Sequence, residues 1–197
     1  MIIDFSKSPP VLPDLEISGQ KIERVTITKL LGLIIRDDLS WEDHVSAIRS
    51  RASQRLFFLR ILKRAKVSID QLLQVYCAIV RPVVEYACQA WHGGITGGQS
   101  DSLEEIQERA LKIIMPDASY KLACQIAEIP TLANRRRELC KKLFVEMQSP
   151  KHKLNHLLPS AKSNSHNVRH EKKYPLPKVT INRTKNSFVN WCLYNLQ

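Results

Sequence analysis

From Trp41 onward, apolar residues recur every three or four positions: Trp41, Val45, Ile48, Ala52, Leu56, Leu59 and Leu62. That spacing collects them on one stripe of a helix, whereas a strand, whose side chains alternate faces, would scatter them over both. The run predicts a helix of about six turns, with Ser40 as its N-cap and Glu42 and Asp43 as the acids of the first turn. Ahead of it the pattern is that of strands and turns. Residues 15–17 and 21–25 flank Ser18-Gly19-Gln20, which reads as a hairpin because glycine supplies the positive φ such turns require. Residues 30–35 (LLGLII) read as one continuous apolar strand, the pattern of a strand covered on both faces. A short apolar run at residues 1–5 is stopped by Ser8-Pro9-Pro10.

Beyond residue 66 the helical period continues. Ser68 caps a helix running from 69 to about 91, which Pro82 should kink or split because proline lacks the backbone donor. The glycines between 93 and 98 end it, and Ser100 or Asp101 starts a third helix that Pro116 stops. A short helix near 120–127 and a longer one over 131–147 follow. After Ser149-Pro150 the chain turns rich in His, Asn, Ser and Lys with no sustained period. It reads as an irregular arm whose apolar end, Phe188, Val189, Trp191, Cys192, Leu193 and Tyr194, is able to dock back on the helices. The expected class is α+β, mostly α: short N-terminal hairpins or strands, a small helical bundle and an irregular basic tail. The corresponding regions are 1–38, 39–148 and 149–197, and no internal repeat is present.

The formal charge of +11 is concentrated in two tracts. Residues 49–66 (RSRASQRLFFLRILKRAK) contribute +7 without a single acid, and 149–197 contribute +8, while the rest is close to neutral. Clustered Lys and Arg suit a polyanion, since each phosphate they neutralise releases counterions. A membrane surface or an acidic protein would also accept them, so the charge defines a class of partner. No run of 18 apolar residues and no basic-plus-apolar leader occurs in the 197 residues, so a soluble, intracellular chain without a membrane span is expected. Cys77, Cys88, Cys124, Cys140 and Cys192 are odd in number and irregularly spaced, which predicts reduced, mostly buried thiols.

Asp37 and Asp38 are adjacent, so their carboxylates project apart, and they fall in the turn before a helix. His152 and His156 have metal-pair spacing but no third ligand nearby in sequence. The glycines of 93–98 lack the Gly-Lys-Ser/Thr ending of a phosphate loop. No catalytic residue, metal ligand or nucleotide cofactor is expected. Arg135-Arg136-Arg137 near a helix start leaves two readings open, phosphate binding or pairing with Glu138 and Glu128. Trp41, Phe57, Phe58, Tyr76 and Trp91 sit at core-like spacing and are expected to pack inside.

Several motifs together resemble a known family. Leu31-Gly32-Leu33-Ile34-Ile35, then Asp37, Leu39-Ser40-Trp41 and His44, followed by Arg55-Leu56-Phe57-Phe58-Leu59-Arg60, resemble the reverse transcriptases of jockey-type non-LTR retrotransposons. The likeness continues through Tyr76, Arg81-Pro82-Val83-Val84-Glu85-Tyr86-Ala87-Cys88 and Trp91-His92, and then Leu103-Glu104, Gln107 and Arg109-Ala110. It reaches Leu132, Arg135-Arg136, Asn182-Arg183, Asn186-Ser187-Phe188 and Trp191-Cys192, covering nearly the whole chain. Arg36, where Asp is common, and Gln89, where Pro is common, depart from the pattern.

The resemblance implies the end of a polymerase palm with its primer-grip strands, a thumb, and a C-terminal tail. Nothing in the sequence matches the family's Asp-Asp turn or its upstream metal-binding aspartate. The chain therefore resembles the product of the 3′ end of a truncated element, inactive alone, with Mg²⁺ expected only in the full-length polymerase. For the thumb, the resemblance makes Arg49, Arg51, Arg55, Arg60, Lys63, Arg64 and Lys66 candidate contacts to the phosphate backbone of an RNA or DNA template–primer. The alternative is a protein-interaction module or a remnant with no nucleic-acid role.

Overall fold

The structure, a computed structural model, describes residues 1–5, 13–161 and 173–197. Ser8-Pro9-Pro10 lies outside the described residues, as does part of the basic arm. The chain opens with two antiparallel hairpins, β1 (Glu16–Ile17) with β2 (Gln20–Lys21), and β3 (Ile27–Leu30) with β4 (Leu33–Arg36). Each turn has two residues with positive φ, Ser18 and Gly19 in the first and Leu31 and Gly32 in the second. Left-handed backbone at both central positions is the turn whose twist matches that of the paired strands.

The second hairpin corrects the reading of 30–35 as one strand. The register Leu30↔Leu33 places Leu31 and Gly32 at its tip, with Leu31 84% exposed. A central strand needs cover on both faces and a partner along each edge; among the described residues the other sheet is the exposed β1–β2 hairpin, which pairs with neither β3 nor β4. The tip is held by Tyr86, whose hydroxyl donates to the Leu31 carbonyl at 3.0 Å. A Cβ on Gly32 would stand 3.1 Å from that ring, so the close approach depends on glycine.

Helix α1 (Glu42–Arg64) matches the expected length. Ser40 is not its cap: its N–H donates to Asp38 Oδ1 at 2.8 Å, and the N-cap position falls on Trp41. Acids in the first turn and Lys63 and Arg64 in the last complement the helix dipole. Ser68 does cap α2 (Ile69–Val75), accepting from the Gln71 N–H. A π-helical turn, Tyr76–Val80, then leads into α3 (Arg81–Glu85). This wider turn directly precedes Pro82 and relieves the clash of its ring with the carbonyl four residues back. The expected split is present, but it falls after Pro82, at Tyr86 and left-handed Ala87, where α4 (Cys88–Trp91) begins. The Trp91 indole N–H closes this break by donating to the Tyr86 carbonyl at 3.1 Å.

Helix α5 (Gly97–Ile114) starts earlier than Ser100, because Thr96 and Gln99 form a reciprocal capping box. Then come α6 (Tyr120–Ile126), capped by Ser119, and α7 (Leu132–Met147), capped by Thr131. Leu56 and Leu59 of α1, Tyr76 of the π turn, Trp91 of α4, and Ile106 and Ile114 of α5 are all fully buried in one core. The C-terminal region is less irregular than its composition suggests, with α8 (Asn182–Lys185) and α9 (Phe188–Asn195). Cys192 and Leu193 of α9 dock against Phe144 and Tyr174 in a second, smaller core. Gly93 permits this approach, since a Cβ there would lie 2.6 Å from the Asn186 carbonyl and 2.8 Å from Trp191. The five thiols are free; Cys88, Cys140 and Cys192 are buried.

Candidate nucleic-acid interface

An α-helix turns about 100° per residue, so the acid-free tract of α1 is distributed around the rod. Ala52, Leu56 and Leu59 face the core. Arg49, Arg60 and Arg64 fall on the flank toward α5, and Arg51 and Arg55 on the flank toward α3. Three of the seven candidate cations are engaged by the fold. Arg49 pairs with Glu105 at 2.7 Å, Arg55 donates to the Ile79 carbonyl at 2.6 Å, and Lys63 donates to the Ile114 carbonyl at 2.8 Å. The last two satisfy carbonyls at a π turn and a helix C-terminus.

Arg51, Arg60, Arg64 and Lys66 are exposed, and their side chains make no hydrogen bond or ion pair among the described residues. Lys66 takes the left-handed conformation that terminates α1, with the Val67 N–H bonded to the Leu62 carbonyl. Two clefts flank the rod. One, of about 490 Å³ between α1 and α5, is lined by Ser46, Ser50, Ser53 and Ser102, by Arg49 and Arg109, and by Glu42, Val45 and Gln99. The other, of about 320 Å³, lies under the β3–β4 tip, with Arg51, Arg55 and Tyr86 above an apolar floor of Ile48, Pro82 and Val83. Hydroxyls and guanidinium groups are the side chains that contact phosphate and sugar without reading base sequence.

Two sequence readings are corrected at this surface. Phe57 and Phe58 are not core residues: they are 56% and 52% exposed, on the side of α1 opposite Leu56 and Leu59. Nor is Arg135-Arg136-Arg137 a cluster open to phosphate. Arg135 lies 3.4 Å from Glu85 and 4.0 Å from Glu138; Glu128 is not among its ion-pair partners in the described residues. Arg136 is fully buried over the Trp91 ring and donates to Ser100 Oγ at 2.7 Å, and burial lowers its pKa from the ordinary value. Arg137 donates to the Asn195 carbonyl, tying α7 to α9. Burial also raises the Glu85 carboxyl, and Arg81 and Arg135 act against that rise.

Sequence reasoning missed a polar network at the centre of the bundle. Tyr76 Oη donates to Gln107 Oε1 at 2.6 Å, and Gln107 Nε2 donates to Tyr120 Oη at 2.9 Å and to the Pro130 carbonyl at 3.0 Å. Tyr120 is hydrogen-bonded to Glu104, whose two oxygens accept from the Leu132 and Ala133 N–H groups at 3.0 and 3.1 Å. Glu104 thus caps α7 from inside the protein. Burial first, and for Tyr120 also its bond to Glu104, pushes both phenols above their ordinary pKa. Glu104 and Gln107, polar residues three apart beside the apolar stripe Leu103, Ile106 and Ala110 of α5, were the available signal. They hold the bundle together and present no reactive group.

A second buried link joins hairpin to bundle. His44 Nδ1 accepts the Ile34 N–H at 3.3 Å, and its ring sits edge-on to Trp41 and Trp91. Burial, with Arg51 adding, lowers its pKa to about 4. Arg36 of β4 bonds Asp43 at 2.7 Å and lies 3.4 Å from Asp38, so Asp38 serves this turn. The Ser40 N–H and then Arg36 hold the Asp38 carboxyl below its usual range. His152 accepts from the Leu154 N–H and His156 contacts the Lys153 carbonyl. Among the described residues no three His, Cys, Asp or Glu side chains cluster as metal ligands, and no helix is long and apolar enough to cross a membrane.

The chain has relatives among known proteins. The chain is similar to the RNA-directed DNA polymerase from mobile element jockey of Drosophila funebris, 23% identical over 153 residues, which is 75% of this chain and 16% of that protein. It is also similar to the probable RNA-directed DNA polymerase from transposon X-element of Drosophila melanogaster, 25% identical over 104 residues, 52% of this chain and 11% of that protein. Residues 41–80, essentially α1 to the π turn, match the family described as alkylated DNA repair protein alkB homolog 8, N-terminal. No solved structure matches. The two polymerases support the non-LTR reverse-transcriptase likeness carried by the motifs, and the chain corresponds to a small part of their length.

Proposed function

We propose that this chain is the thumb-bearing part of a retrotransposon reverse transcriptase and grips the phosphate backbone of a template–primer without reading its sequence. In this reading residues 1–38 complete the palm and primer grip, 39–148 form the thumb, and 149–197 are a basic tail. The observation that carries it is the set of exposed cations Arg51, Arg60, Arg64 and Lys66, their side chains unpaired among the described residues, on the acid-free 49–66 tract flanked by two clefts. Arg49, Arg55 and Lys63 act in the same tract by shaping it, since each already holds a partner. The carboxylates that position two metal ions at a primer terminus belong to other parts of the polymerase, so this chain contributes binding and no phosphoryl transfer.

The test is the affinity for RNA–DNA hybrids of unrelated sequence, measured across a range of salt. Replacing Arg51, Arg60, Arg64 and Lys66 with Gln should weaken all hybrids alike. It should also reduce the slope of log K against log salt by about 0.9 per lost contact, the value for duplex DNA. Loss of binding on removal of residues 149–197, with the four-site variant unchanged in affinity and slope, would place the contact on the tail.

A further inference from the structure

We infer that the outer face of α1 is a stacking platform for the unpaired bases of a single nucleic-acid strand, an inference that rests on the phosphate-grip reading above. Phe57 and Phe58 stand side by side there, their ring centroids 6.2 Å apart and inclined at 64°. Ile61, 44% exposed, lies one turn on and completes the patch. A helix inside a packed bundle normally turns such residues inward, and an exposed patch of two adjacent aromatic rings calls for an occupant.

The charge around the patch chooses the occupant. Arg60 and Arg64 run along one border and Arg51 along the other, and no acid occurs between residues 49 and 66. A rim of one sign, with no acid to answer it, is complementary to a polyanion. A duplex would satisfy the arginines alone, because its base faces are already stacked on one another. A single strand offers both chemistries, phosphates to the rim and open base faces to the rings, which is the combination used by proteins that bind single strands without sequence preference. Phenylalanine has no hydrogen-bonding group, so such contacts tolerate any base.

The experiment compares three probes on the full chain by fluorescence anisotropy at fixed salt: a twelve-nucleotide oligo-dT, an abasic oligomer of the same length and charge, and an RNA–DNA hybrid. The parent should bind oligo-dT about ten- to a hundredfold tighter than the abasic strand, the gain expected from stacking one or two bases. Phe57→Ala with Phe58→Ala should erase that difference while leaving abasic and hybrid binding within about twofold, and Phe57→Trp with Phe58→Trp should restore it. Both positions are exposed, so the fold should survive, with circular dichroism as the check. Arg51→Gln, Arg60→Gln and Arg64→Gln together should weaken both single strands equally. Equal binding of oligo-dT and abasic strand by the parent overturns the platform while leaving the phosphate grip standing. Unchanged oligo-dT binding by the double Ala variant overturns it too, including when sedimentation shows that variant to have lost a self-association and so marks the patch as a protein contact. Failure of the parent to bind any of the three probes removes the phosphate grip, and the platform with it.

Discussion

The N-terminal hairpins and the helical bundle draw on similarly apolar segments, yet they differ in what becomes of them. Ile17, Leu30 and Leu31 of the hairpins remain exposed, whereas Leu56, Leu59, Ile106 and Trp91 of the bundle are sealed from solvent. Among the described residues 1–5 and 13–38, none is fully buried. A two-stranded ribbon has two faces and no neighbouring strand beyond its edges, so on its own it is marginal in water. Helix α5 packs against both α1 and α7, and the π turn and α4 fill the space beside them, so apolar stripes from several elements close one core. The difference between the hairpins themselves is equally instructive. The β3–β4 hairpin is fastened to the bundle by Tyr86, His44 and the Arg36–Asp43 pair. The β1–β2 hairpin shows chiefly local ties, such as the exposed Lys21–Asp14 pair. Turn geometry shapes a hairpin, and docking stabilises it.

This contrast can be broken most severely at Trp91, the largest side chain fully buried in the bundle. Trp91→Ala removes the ring packed beneath Arg136 and the bond that closes the α3–α4 break. A loss of about 3–5 kcal/mol in urea denaturation is expected. A loss under about 1 kcal/mol would show that the bundle is no better sealed than the hairpins.

A smaller effect sharpens the link between the two regions. In the unfolded chain His44 takes up its proton as pH falls through about 6.5, but in the fold it resists until about 4. The unfolded state therefore binds more protons within that window, and stability drops progressively from pH 6.5 to 4 before levelling. The contribution is on the order of 3 kcal/mol, and His44→Gln should remove it from the pH profile. Because Nδ1 must accept from Ile34, protonation should release the β3–β4 hairpin before the bundle opens. The Ile34 amide resonance would report that order; simultaneous loss of bundle signals would contradict it.

The smallest change acts on the hairpin alone. Leu31 holds φ at 47° with its side chain in solvent, a conformation Asn tolerates better than Leu. Leu31→Asn should stabilise the protein by about 0.5–1 kcal/mol, seen as a rise in Tm, with the Tyr86 bond to the backbone carbonyl kept. A fall in Tm would show that the exposed leucine has a contact worth more than the relief of its backbone.

Much of this architecture was legible because its signals are local. The stripe from Val45 to Leu59, the cap at Ser68, and the turn at Ser18-Gly19 each depend on residues within a few positions of one another. The same locality explains the failures. Leu30 to Ile35 is apolar throughout, and nothing in that run marks the fold-back at Leu31-Gly32, whose tip is held by Tyr86, 55 residues away. Phe57 and Phe58 look like core residues by composition, but adjacent positions on a helix cannot all point inward, and Leu56 and Leu59 already did. Within the basic tract nothing local separates Arg49 from Arg60; Glu105, 56 residues away, does.

The sequence by itself determined the helical period, most of the helix boundaries, the basic character of the tract and the reverse-transcriptase likeness, since each is a property of neighbouring residues or of their order. The tertiary structure alone decided which cations remain for a ligand, that Arg136 and Glu104 are spent inside the bundle, and that two phenylalanines face outward. Those outcomes depend on which groups meet across the core, where desolvation favours partners such as Ser100 for Arg136 and the Leu132 and Ala133 N–H groups for Glu104.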